Sequence, residues 1–157
     1  MELGLILAIG GAGLAVTLPS VGSAISLSEV GRSAAGLISE EPEKFGKALL
    51  LQVLPGTQGI YGFLAAVLVL QEIGLFGDEV VTVSTSAGWQ ILLACLPITI
   101  AGLLSSVLQG KVSVAGISTL AKKPEEAGKA IILSAMVETY AVISLLLTIL
   151  ILNGITV

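Results

Sequence analysis

Apolar residues run in four long stretches along the chain, about Leu3 to Val30, Ala48 to Leu75, Trp89 to Leu120 and Ala130 to Leu152. Each is long enough to cross a hydrocarbon layer, which takes about 20 mainly apolar residues in a helix. Between them lie two short charged connectors, Ser39 to Lys44 and Lys122 to Glu126, and a longer polar one, Phe76 to Ala87. The pattern predicts an all-α membrane protein of four transmembrane helices. No Lys or Arg precedes the first stretch, so a retained helix is expected there rather than a cleaved leader.

The chain repeats itself. PEKFGKALLLQVLPGT from Pro42 and PEEAGKAIILSAMVET from Pro124 match at seven of sixteen positions, 82 residues apart. Among the matches are Pro42/Pro124, Gly46/Gly128, Lys47/Lys129 and Thr57/Thr139. Upstream, Leu18-Pro19 echoes Leu96-Pro97, and Ala35-Gly36-Leu37 echoes Ala115-Gly116-Ile117. The reading is two parallel copies of one helical hairpin. The first occupies residues 1–76 and the second residues 88–157, with an extracytoplasmic connector over 77–87. Glu138 in the second copy corresponds to Gly56 in the first, so one hairpin has an acid and the other does not.

Composition and charge then fix the setting. The chain is 55% hydrophobic and only 11% charged, with a mean hydropathy of +1.05, whereas soluble domains carry about 25% charged residues. The net charge of −4 with no basic patch argues against nucleic acid. There is no histidine, and the single Cys95 lies in an apolar run, so an internal disulfide is excluded and an enzyme with its own active site is disfavoured. All seven Lys and Arg residues lie in or toward the first and third connectors, while the termini and the middle connector hold only the acids Glu2, Glu72, Asp78 and Glu79. The positive-inside rule puts the loops around 39–44 and 122–126 in the cytoplasm and both termini outside.

A carboxylate at the bilayer centre costs roughly 2.5–3.5 kcal/mol on insertion scales, so such residues mark ion or proton pathways. Glu138 lies about 20–24 Å from the turns at 1.5 Å per helical residue, and the same count brings Thr57, Gln58 and Gln109 to that level. Leu54, Thr57, Gln58 and Tyr61 form one stripe at helical spacing. Pro55 inside it is expected to kink the helix and turn a carbonyl such as that of Leu54 toward a ligand. A carboxylate, two amides, a hydroxyl and a carbonyl are hard oxygen donors carrying one negative charge. They suit Na⁺, with H⁺ as the alternative. Tyr61 is expected to hold the carboxylate in place. Small residues crowd the first helix at Gly10, Gly11, Gly13, Gly22, Ser23 and Ser26, which predicts close helix packing within the chain or between copies.

The stretches PEKFGKALLLQVLPGTQGIYG, LQGKVSVAGI, AKKPEEAGKAI and AMVETYAV resemble the membrane rotor subunit of V-type ATPases, the proteolipid also called subunit K in sodium-pumping bacterial enzymes. The resemblance covers nearly the whole chain. It implies a homo-oligomeric ring among membrane lipids in a bacterial plasma membrane. That ring would be driven by ATP hydrolysis in a soluble headpiece, turning past a stator membrane subunit and docked to a central-stalk subunit. It also implies Na⁺ bound by Glu138, Gln109, Gln58, Thr57 and the Leu54 carbonyl, with Tyr61 nearby. A proton-carrying ring is the alternative, and a small ion-coupled transporter is a more distant one.

Overall fold

The computed structural model describes residues 3–77 and 81–156; the acids Glu2, Asp78 and Glu79 lie outside them. Among the described residues four helical rods are long and apolar enough to cross a membrane, as the hydropathy predicts. α1 spans Leu3–Glu40 and α4 spans Thr85–Lys122, each of 38 residues. At about 57 Å each, they outreach the hydrocarbon layer of about 30 Å. Their ends at Glu40 and Lys122 are charged because those turns stand beyond the apolar zone.

The second rod is interrupted. After a 3₁₀ turn at Pro42–Lys44 come α2 (Phe45–Val53), a second 3₁₀ turn at Leu54–Gly56 and α3 (Thr57–Glu72). Pro55 sits in the middle of that break, where its missing N–H removes one bond of the α-helical ladder; Pro19 and Pro97 lie inside α1 and α4 without interrupting them. The fourth rod, a 3₁₀ turn at Pro124–Glu126 followed by α5 (Ala127–Leu152), carries no proline inside its helix and is unbroken.

Turn chemistry explains the ends. α3 closes with Gly74 at φ 72°, its N–H donating to the Gln71 carbonyl at 3.0 Å and that of Leu75 to the Leu70 carbonyl at 2.9 Å. This is the Schellman arrangement, in which glycine takes the left-handed position without penalty. The Ser84 hydroxyl caps α4 by accepting from the Ala87 N–H at 3.1 Å, so α4 starts at Thr85 and the connector ends sooner than the apolar pattern suggests.

α1 and α4 begin and end 82 residues apart, which fixes the register of the duplication. Two of the upstream echoes are corrected by it. Pro19 and Pro97 are 78 residues apart, so they stand one helical turn out of equivalence; Pro19 is buried and Pro97 only partly so. Gly36 and Gly116 are 80 apart, and a two-residue shift turns them to different faces. Gly36 borders open space, whereas Gly116 packs on Leu51 and Ala130.

α1 and α4 pack side by side along much of their length, and α3 and α5 lie mainly against the first helix of their own hairpins. Two apolar clusters result. One, near the turns, holds Val30, Leu37, Leu51 and Leu120; the other, toward the opposite end, holds Ala15, Val69, Ile91 and Ile98. Between them lies a buried polar layer of Ser23, Ser26, Gln58, Ser105, Ser106, Gln109, Ser113 and Ser134. At the turn end the hairpins are stitched together. Lys44 is only 8% exposed; its Nζ donates to the Ala121 carbonyl at 3.0 Å and pairs with Glu41 at 2.6 Å. Lys47 donates to the Pro124 carbonyl at 3.0 Å.

Candidate ion-binding site in the polar layer

The site begins at the Pro55 break. Restarting a helix at Thr57 leaves its first N–H groups without partners. The Thr57 N–H returns to the Leu54 carbonyl in the 3₁₀ turn. The Gly59 N–H is taken by the Ser23 hydroxyl of α1 at 3.1 Å. Ser23 therefore supports the broken rod, a role its small size alone does not signal; the available signal is a hydroxyl in α1 level with the proline.

The Thr57 hydroxyl donates to the Leu54 carbonyl at 2.9 Å. That carbonyl thus accepts from both the Thr57 N–H and its hydroxyl. Both bonds stay within the turn, and the carbonyl holds the threonine with its hydroxyl oxygen lone pairs available to a further partner.

Gln58 and Gln109 are fully buried, and Gln58 Nε2 donates to Gln109 Oε1 at 2.5 Å across α3 and α4. Thr57 Oγ1 lies 3.5 Å from Gln58 Oε1. Gln109 Nε2 is buried without a partner, and an orphaned amide atom costs about 1–3 kcal/mol. Turning both amides over keeps one N–H···O bond between them and exchanges the orphaned donor for an orphaned acceptor, Gln109 Oε1. A cation satisfies such an oxygen.

Glu138 is half-buried on α5, and its Oε1 accepts from the Tyr61 hydroxyl of α3. The chain therefore brings Leu54, Thr57, Gln58 and Tyr61 together with Gln109 through the amide pair, and with Glu138 through the phenol. Thr139, next to the acid, is exposed and faces the groove between α4 and α5. Lys111 is also exposed and no hydrogen bond or ion pair ties it to these groups. Among the described residues no three His, Cys, Asp or Glu side chains cluster. The donor set is one carboxylate with neutral oxygens, which matches a monovalent hard cation in charge.

The matching positions of the other hairpin hold no such set. Gly56 stands in place of Glu138, where an added Cβ would meet Leu27 at 3.4 Å; Tyr140, Ile143 and Leu27 stand in place of Gln58, Tyr61 and Gln109. Each chain thus offers one carboxylate site.

Comparison with known proteins supports the duplication. A family model for the C subunit of ATP synthase matches residues 10–69 and again residues 92–151, in the 82-residue register of the helices. The V-type sodium ATPase subunit K of Enterococcus hirae is 45% identical over 152 residues, covering 96% of this chain and 94% of that protein. The A-type ATP synthase subunit K of Methanocaldococcus jannaschii is 40% identical over 151 residues, covering 96% of this chain and 64% of that protein.

Proposed function

This chain belongs to the ATP synthase C-subunit family and is a membrane rotor subunit of a V/A-type ATPase, not catalytic on its own; from that premise we propose that it carries Na⁺ on Glu138. Copies assemble into a ring that turns past a stator subunit as the soluble headpiece hydrolyses ATP. The turns at Pro42 and Pro124 face the cytoplasm and the central stalk, and the termini face outside. The setting is a bacterial plasma membrane, in keeping with the one-sided Lys and Arg distribution and with the Enterococcus relative.

The carrying observation is the polar layer itself. A proton needs only the carboxylate and one neighbour such as Tyr61. The buried Gln58–Gln109 pair, whose unpartnered Gln109 Nε2 becomes an unpartnered oxygen when both amides are turned over, and the Thr57 hydroxyl held on the Leu54 carbonyl offer further neutral oxygens that suit a metal cation. Glu138, Gln109, Gln58, Thr57 and Leu54 are the ligands in this reading, and Tyr61 orients the carboxylate. A sodium ATPase named among the relatives agrees with it.

The physics of transport follows. A bare carboxylate is costly against lipid, and a cation-neutralised one is far less so. Loading therefore permits Glu138 to travel through the lipid-facing arc. Unloading requires contact with water or with a competing cation at the stator.

Carbodiimide modification of Glu138 in the purified ring tests this. Na⁺ slows the modification at constant pH while K⁺ at equal ionic strength does not. Modification governed by pH alone would make the ring a proton carrier.

A further inference from the structure

α4 carries Gln109 and α5 carries Glu138. Gln109 is paired with Gln58 and Glu138 with Tyr61, both residues of α3, and among the described residues no bond joins Gln109 to Glu138. The seam between α4 and α5 is loosely filled. A groove of about 550 Å³ opens along it at and beyond the level of the acid, lined by Leu104, Leu108, Met136 and Tyr140. A second, of about 310 Å³, lies toward the turn and is lined by Val112, Ala115, Lys129 and Leu133. One side-chain hydrogen bond spans this seam among the described residues. The Ser113 and Ser134 hydroxyls, both fully buried, lie 2.7 Å apart. Ser113 follows Gln109 by four residues, and Ser134 precedes Glu138 by four, in continuous helices. Each serine therefore shares a face with its neighbour in the site, about 6 Å nearer the turn.

The other hairpin is fastened differently at the matching positions, where Gly31 and Gln52 replace Ser113 and Ser134. Gln52 lies against the glycine, where an added Cβ would meet its Nε2 at 2.5 Å, and that nitrogen donates to the Leu27 carbonyl at 3.4 Å. Leu27 is the counterpart of Gln109. The hairpin without an acid is thus joined by one long bond from an adaptable amide. The hairpin with the acid is joined by two short side chains, which meet only at one separation of their helices.

We propose that the Ser113–Ser134 bond sets the spacing of α4 and α5 at the site, and through it the size of cation that Gln109 and Glu138 accept together. The inference rests on the sodium reading, in which both are ligands, and adds two positioning residues one turn away. Metal–oxygen distances hold to within about 0.2 Å, so a small parting of the two helices is felt by the ion. Discrimination among hard cations follows cavity size and the rigidity of the ligands. Without the bond, nothing polar fixes the seam between its two grooves. The cavity then loosens, and Li⁺, the smaller ion, loses more than Na⁺.

Carbodiimide protection of Glu138 in the assembled ring, titrated with NaCl and separately with LiCl at one pH and ionic strength, tests this in Ser113→Ala, Ser134→Ala and the double variant. Each alanine removes a single oxygen atom, and interhelical bonds of this kind add little to membrane-protein stability, so the ring should remain intact on a native gel. Should an alanine ring come apart, Ser134→Cys, which fills the space but bonds weakly, gives the same comparison. The expected half-protecting Na⁺ concentration rises about five- to tenfold in each single variant, toward the lower end of the losses seen when groups behind metal ligands are removed. That of Li⁺ rises at least three times as much again. The double variant should be no worse than the weaker single, because both changes break the same bond. Na⁺ protection within twofold of wild type, or equal losses for the two ions, would overturn the positioning role and leave the sodium reading standing. Absence of Na⁺ protection in the wild-type ring would overturn both.

Discussion

Tyr61→Phe isolates one bond of the site. The phenol ring packs against the apolar cluster that contains Ala15 and Val69, and phenylalanine keeps that packing. Only the hydroxyl that donates to Glu138 Oε1 is lost. A hydrogen bond to a charged group contributes about 1.5–3 kcal/mol, and each 1.4 kcal/mol is about tenfold in affinity. The Na⁺ concentration that half-protects Glu138 from carbodiimide should therefore rise about 10- to 100-fold, in the range found when groups that orient metal ligands are removed. Water entering beside the half-buried carboxylate moves the effect toward the lower end. The assay is a titration of labelling rate against Na⁺ at fixed pH, with ring integrity checked on a native gel. A half-protecting concentration within threefold of wild type, in an intact ring, would refute the reasoning that the phenol holds the carboxylate for the ion.

Further outcomes follow from the same geometry. Gln109→Leu leaves the buried Gln58 amide unpaired, so both it and Gln58→Leu should weaken Na⁺ protection at least tenfold, and the double variant should lose less than the two singles combined; strictly additive losses would deny the amide pair. Gly62→Val should lower the temperature at which the purified ring dissociates, because a side chain there meets the Ala15 carbonyl and Pro19; Gly128→Ala, in open space, should leave it unchanged. Lys44→Met removes the bond to the Ala121 carbonyl and the pair with Glu41. It should cost about 1–3 kcal/mol of resistance to unfolding, read by denaturant titration.

Much of this architecture is legible in the sequence because a membrane span must be apolar along its whole length. Hydropathy marks the rods, and identities such as Lys47/Lys129 mark the duplication. Pro55 stands at the break, but Pro19 and Pro97 sit inside continuous helices, so a missing N–H alone does not tell which proline interrupts its rod. The limits are rotational. A stretch such as Gly10-Gly11-Ala12-Gly13 announces close packing without saying which glycine faces α4 and which faces outward; that depends on how α1 is rolled against its neighbour. The echo of Pro19 in Pro97 misleads because two-letter matches recur by chance in apolar sequence, and the helix ends assign a different register. Depth counting aligns Thr57, Gln58, Gln109 and Glu138 but is silent on angle. The expected hold of Tyr61 on the carboxylate is present, whereas only the structure pairs the two amides with each other. The role of Ser23 is not legible in its own neighbourhood, because its partner, the Gly59 N–H, becomes free only through the break on another helix.

Equilibrium binding of radioactive Na⁺ to the purified ring addresses the central claim most directly. The account predicts saturable binding of one Na⁺ per chain, displaced by acid but not by excess K⁺, and abolished in Glu138→Gln with the ring intact. Absence of saturable binding, or binding that survives Glu138→Gln, would contradict it.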